Sequence, residues 1–386
     1  MRRKKVLLVF VMTAGLTLVN GCWNYREIDS LAIVSGVGID RSEDGQHYVM
    51  TAEIIGFSGT GKDARIKSEH VEAKGETLFD TARNMTRTAP KKLYWSHAGV
   101  FIISQEIARE GVVPLLDYIA RGTERRLQIV PMVSREETAS EIVKLHSITT
   151  EVQMYALRDA IETEQKTSSK VPYVNVRDVI NALSGEGVSA IMPVVGINDT
   201  GEKNASTDLA GTAVFKKEKL VGFLSPDETK WYLFAINKIK GGLIPVDVEL
   251  ENIHEVSLEI SDNKTKIKLV DTSKKPRVKI KVHTVLSIQE IGVTDNLLAG
   301  EGLQRLKTSA EKTIQTGIEE VVKSVQKKFG TDIFGFGAAL RQSDPKAWRK
   351  WEEEWGLVFS ELDVQIEVDA EIRNSSVLNK SIEVRD

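Results

Sequence analysis

The sequence predicts an α+β protein. Two observations carry that expectation. Through the first half, apolar β-branched runs alternate with stretches of helical period, the pattern of a sheet with helices packed on it. Beyond residue 250, three strand-like runs precede one long apolar stripe at three- and four-residue steps, so strands and helix come in blocks.

Runs 31–40 and 47–55 are apolar and joined by a polar turn, which reads as a strand pair. Residues 66–74 form a third strand ended by Gly75, and 76–87 have helical spacing through Leu78, Phe79, Ala82 and Met85. Residues 93–104 read as one strand around Val100, Phe101, Ile102 and Ile103. Residues 105–120 read as a helix interrupted near Gly111 and Pro114. A strand at 127–134 follows, then helices at 136–145, 151–165 and 176–183, and a closing strand at 188–197.

The polar stretch 199–208 has no apolar period and reads as a linker. Residues 209–216 and 220–224 form a hairpin-like pair. Ser225, Pro226 and Glu228 then supply a cap, a first-turn proline and the far half of a capping box, so a helix starts there. Gly241 and Gly242 end it. Strands are expected at 253–260, 264–270 and 277–291, with Ser261-Asp262-Asn263 as the turn between the first two. Leu303, Leu306, Ala310, Ile314, Ile318, Val321, Val325 and Phe329 make the long stripe. Lys327 and Lys328 in its last turn and Gly330 beyond it suit a helix C-terminus. Asp344-Pro345 opens a further helix, and 361–372 alternate as a final strand.

Ahead of this body stands a leader. Arg2, Arg3, Lys4 and Lys5 precede an uncharged apolar run over 6–19, then Asn20, Gly21 and Cys22. A basic start, a short apolar run and a small residue before the processing point describe a signal peptide over 1–21. The run is shorter than the roughly 20 residues a spanning helix needs. Leu18-Val19-Asn20-Gly21-Cys22 resembles a bacterial lipobox, in which the thiol receives a diacylglyceryl group and the peptide is cut before it. Val19 and Asn20 depart from the commonest form of that box. The alternative is an uncleaved anchor with an incidental cysteine.

The chain carries 52 basic and 55 acidic residues, and without the four leader cations it stands at 48 against 55, a net of −7. That balance does not suit a nucleic-acid binder. With Cys22 the one cysteine, no internal disulfide forms, and the fold rests on its core. The histidines His47, His70, His97, His146, His254 and His283 are scattered, no HExxH occurs, and neither a cofactor nor a metal is expected. Ser261-Asp262-Asn263 spells a penicillin-interacting triplet without the KTG that should follow, and reads as turn residues. Trp348, Trp351, Trp355 and Phe359 at helical spacing read as a core face rather than a ligand wall. Arg277, Lys279 and Lys281 make one strand face basic; solvation is the ordinary reading, and contact with anionic lipid or wall polymer the other.

The residues then converge on one family. Cys22-Trp23, Arg26-Glu27-Ile28-Asp29, Leu31-Ala32-Ile33-Val34 and Gly36-Val37-Gly38-Ile39-Asp40 open the match. Ser96-His97, Ala108 with Gly111, and Leu116-Asp117 with Arg121 and Arg125 continue it. Gly211-Thr212-Ala213-Val214-Phe215 with Leu220-Val221-Gly222 carry its middle. Asp332-Ile333-Phe334-Gly335-Phe336-Gly337, then Pro345, Trp348, Trp355 and Phe359, carry its end. The chain resembles the C subunit of bacterial spore germinant receptors, the Ger(x)C lipoproteins.

That resemblance implies three mixed α/β domains, and the coarse reading places their boundaries near 200 and 250, giving 22–200, 201–250 and 251–386. It implies a lipoprotein on the outer leaflet of the inner spore membrane, working with two multi-spanning subunits, A and B, in a complex that answers nutrient germinants. It carries over no catalytic residue. Trp23, Tyr25, Arg26 and Glu27, on a short tether, suit docking against a membrane partner, although Trp23 would also sit well at headgroup level. Two other classes stand beside this reading: an extracytoplasmic ligand-binding lipoprotein of a transporter, and a wall-active hydrolase, against which the lack of a nucleophile or metal constellation argues.

Overall fold

The computed structural model describes residues 30–58, 65–89, 91–122, 124–145, 150–198, 205–248, 256–271, 275–291 and 300–373. They form two sheets, and the architecture is mixed α/β as expected.

The larger sheet has nine strands. Strands β1 (Leu31–Arg41), β2 (Tyr48–Ser58) and β3 (Arg65–Gly75) make an antiparallel meander at one edge. β1 also pairs in parallel with β4 (Lys92–Tyr94) and β5 (Val100–Ile103). β6 (Val130–Ser134) and β7 (Ile191–Asn198) extend the parallel centre, and β8 (Ser206–Lys216) and β9 (Lys219–Leu224) close the other edge as an antiparallel pair. The linker expected at 199–208 therefore joins two paired strands; its first part lies outside the described residues, and Ser206 already belongs to β8. Of the described residues in the stretch 201–250, β8 and β9 extend this sheet, and those beyond β9 pack with the second.

The parallel centre is covered on both faces, which explains its unbroken apolar runs. On one face lie α1 (Leu78–Asn84), α2 (Gln105–Glu110), α3 (Val113–Arg121) and α6 (Val176–Ser184), packed on Phe101 and Ile103. On the other, α4 (Ala139–Val143) and α5 (Gln153–Thr167) pack on Val100 and Ile102. The single strand expected at 93–104 is two strands separated by a 3-10 turn at Trp95–His97. The cause lies in β1, which is irregular between Val34 and Gly36; Ser35 there accepts the Gly99 amide at 2.7 Å, so no straight neighbour could follow both halves of β1.

The second sheet runs β10 (Leu243–Val246), β11 (Val256–Asp271), β12 (Arg277–Ile291), β13 (Asp363–Arg373). The stripe forms α8 (Glu301–Lys328), which buries Leu306, Ala310, Ile314, Ile318, Val321 and Val325 against this sheet and α7 (Pro226–Ala235). Ser225 and Glu228 close the expected capping box on α7. The turn expected at Ser261-Asp262-Asn263 is absent: β11 runs through it with a bulge between Ile260 and Asp262. Inward residues switch there from even positions (Val256, Leu258, Ile260) to the odd Thr265, so the polar triplet marks a change of phase rather than of direction.

Three short helices, α9 (Phe336–Ser343), α10 (Pro345–Trp351) and α11 (Trp355–Ser360), link α8 to β13. Trp348, Trp355 and Phe359 are buried, which makes the aromatic series a core face, divided between α10 and α11. On the basic strand face, Lys279 and Lys281 both pair with Glu367 of β13, so much of its charge is compensated within the sheet.

Candidate functional site

Cys22, Trp23, Tyr25, Arg26 and Glu27 lie outside the described residues. The other residues that carried the resemblance fall largely on places where one element is fastened to another, and three buried carboxylates do much of that fastening.

The first is Asp40, at the end of the Gly-Val-Gly-Ile-Asp run of β1. It accepts the Ala139 and Ser140 amides at 2.7 and 3.0 Å, the first turn of α4. Burial lifts its carboxyl to about 6, against the pull of those two amides. The glycines of the run admit the helices: a Cβ on Gly36 would stand 2.6 Å from Met154 of α5, and one on Gly38 would stand 3.0 Å from the Ala139 backbone of α4. Here the glycines serve the close approach of helices to the strand.

The second is Glu53 of β2, with no exposed surface. Its two oxygens accept the Gln153 amide at 2.8 Å and the Met154 amide at 3.0 Å, while Ser35 Oγ donates at 2.5 Å. The N-cap of α5 is Val152, whose side chain cannot accept, so Glu53 caps this helix from a distant strand. Nothing in the local sequence signals that role beyond a charged residue inside a strand whose neighbours Ala52 and Ile54 are buried.

The third is Asp332, which opens the Asp-Ile-Phe-Gly-Phe-Gly run. Its Oδ1 accepts the Phe334 and Gly335 amides, each at 2.9 Å. Its Oδ2 accepts the Gly337 amide at 2.8 Å and Trp355 Nε1 at 3.0 Å. Burial raises this carboxyl to about 6 although four donors oppose it. Gly335 takes φ 76°, a left-handed conformation that turns the chain into α9. The same loop joins the two sheets. Ser189 donates its amide to the Asp332 carbonyl at 2.7 Å, Ala338 donates to the Gly187 carbonyl at 2.9 Å, and Trp348 Nε1 reaches Glu186 at 3.1 Å. A Cβ on Gly337 would meet Gly187 Cα at 2.7 Å, so this crossing leaves no room for a side chain.

The middle motif belongs to the same seam. Thr212 and Thr229 share a buried hydroxyl bond at 2.9 Å, tying β8 to α7, and Gly222 lies against the Phe329 ring at the end of α8. Among the described residues, no group of three or more His, Cys, Asp or Glu side chains is placed to hold a metal.

All three carboxylates are taken up by N–H donors, at the starts of α4 and α5 and in the turn that leads into α9. Fold and site together define a body whose buried carboxylates lock helices to sheets and one sheet to the other.

Comparison with known proteins gives that class its family. Residues 24–197 match the spore germination protein N-terminal domain, and residues 210–376 match the spore germination B3/GerAC-like C-terminal domain. The chain belongs to the GerAC-like family, the C subunits of germinant receptors. It is similar to spore germination protein KC of Bacillus subtilis (strain 168), with 25% identity across 98% of each chain. It is 26% identical to spore germination protein B3 of the same organism, over 96% of this chain and 98% of that one. The crystal structure of the GerBC protein shares the fold, with a TM-score of 0.57 at 23% identity over 87% of this chain and 96% of that one.

Proposed function

We propose that this chain is the lipid-anchored, extracytoplasmic subunit of a nutrient germinant receptor. It is held by a diacylglyceryl group on Cys22 at the outer leaflet of the inner spore membrane, where it works with two integral membrane subunits in assembly or signalling. One observation carries the reading: matches to both spore germination domains occur in one chain, behind a basic and then apolar segment that is followed by the chain's one cysteine. The body supports it. Among the described residues no helix is long and apolar enough to cross a membrane. From Cys22 to Leu31, the first residue of β1, there are nine steps, so an extended chain reaches at most about 30 Å. Such a tether keeps the nine-stranded sheet close to the headgroups and beside membrane-embedded partners.

The anchor is tested by replacement. One acyl chain holds a protein only marginally, and a diacylglyceryl group supplies two. Cys22→Ala is expected to abolish incorporation of labelled fatty acid, to shift the chain out of normal processing and to reduce germination in response to the cognate nutrient. Wild-type protein that takes up no label, together with normal germination of Cys22→Ala spores, would contradict the anchored reading.

A further inference from the structure

The anchored reading places one end of the nine-stranded sheet at the membrane, and that end carries a basic cleft. Leu31, where the tether enters the fold, pairs with Lys92 of β4. Lys92 lines a cleft of about 440 Å³ together with Phe79 and Arg83 of α1, Arg121 at the end of α3, and Glu124 and Arg125 beyond it. Four of these side chains are cations and one is an acid. Lys92 pairs with Glu124 at 2.8 Å and Arg121 with Asp117 at 2.7 Å. Arg83 and Arg125 have no carboxylate within ion-pair distance among the described residues, which leaves the cluster with a net positive charge.

Its apolar company is unusual. Phe79 is 54% exposed, with the Arg83 guanidinium 5.1 Å from its ring centre. Cations grouped around an exposed aromatic ring are the composition of a surface that lies on anionic bilayers. The basic face of β12 offers no comparable site, since Lys279 and Lys281 share Glu367.

We infer that this cleft docks the phosphate headgroups of anionic lipid in the leaflet that holds the anchor, fixing which way the body faces on the membrane. The inference rests on the anchored reading. Two charges alone would orient the domain weakly, but the tether keeps the cleft within its reach of the bilayer, so the contact is effectively intramolecular.

The test uses the full-length chain reconstituted in vesicles of phosphatidylcholine alone or with phosphatidylglycerol added, read by amide hydrogen exchange in α1, β4 and α3. Protection that appears with phosphatidylglycerol and fades at high salt is expected. Arg83→Gln and Arg121→Gln change exposed side chains, leave the core untouched, and are expected to reduce that protection by about fivefold for each cation removed. Equal protection in both vesicles, or an unchanged response in these variants, would overturn the inference. Protection produced by inorganic phosphate without vesicles would make the cleft a free-anion site, and protection that needs the integral membrane subunits would make it a protein surface; either result also overturns it. Intact mass of the same sample reports the acyl group on Cys22, so loss of the anchor and loss of the headgroup contact are read separately.

Discussion

Replacing Asp332 with alanine is expected to lower the unfolding free energy by on the order of 4 kcal/mol. The buried side chain satisfies four N–H groups, those of Phe334, Gly335, Gly337 and the Trp355 indole. Each orphaned buried donor costs roughly 1–3 kcal/mol. Against this stands the burial of the charge, visible as a carboxyl lifted from 3.8 to about 6, which amounts to roughly 3 kcal/mol. The orphaned donors outweigh that relief. Asparagine should fall between, because its NH2 would face two of the four donors. Urea unfolding at neutral pH measures the loss, and a change below about 1 kcal/mol for the alanine variant would contradict this role.

The same residue sets a pH dependence. Asp332 and Asp40 both have folded values near 6, above the unfolded 3.8, so the native state binds protons first as pH falls. Stability therefore falls as pH rises through the window from about 4 to about 6, and wild type should be more stable near pH 5 than near pH 7. Surface carboxylates held low by their partners, such as Asp369 beside Lys307 and His283, lose their contribution only below that window. In Asp332→Ala the slope between about pH 5 and 7 should shrink, with Asp40 supplying what remains.

Glu53→Ala is the second large effect, expected to cost roughly 3 kcal/mol by stranding two helix-start amides and a buried hydroxyl. Its signature should be local as well as global. Because α5 has no cap of its own, amide exchange at its N-terminal turn should accelerate well before the rest of the sheet opens. Glu53→Gln keeps one accepting oxygen and should lose less. Uniform exchange in α5 with unchanged stability would show that Glu53 does not hold this helix.

What the sequence revealed and what it hid divide along the range of the interactions. The α8 stripe and the Ser225 capping box are read within a few residues and were found where expected. The break of 93–104 into two strands depended on an irregularity in β1, and the phase change in β11 on its pairing with β12, so neither was visible locally. The carboxylate locks are the extreme case. Asp40 and Glu53 serve amides about a hundred residues away, and a sequence period cannot say which donors a buried acid will meet. Asp332 was legible only as part of a motif, whose chemistry came from the fold. The residues expected to meet the membrane partners, Trp23 to Glu27, precede the first described element.

We propose that this body belongs to a receptor with two integral membrane subunits. Affinity capture of the full-length chain from detergent-solubilised spore membranes, with the captured proteins identified by mass, tests it most directly. Two multi-spanning germination proteins are expected to be recovered with the wild-type chain, and recovery is expected to weaken when a long Gly/Ser spacer is inserted between Arg26 and Leu31. Recovery of the chain alone, or with the components of a transporter, from membranes that hold an intact germinant receptor would contradict it.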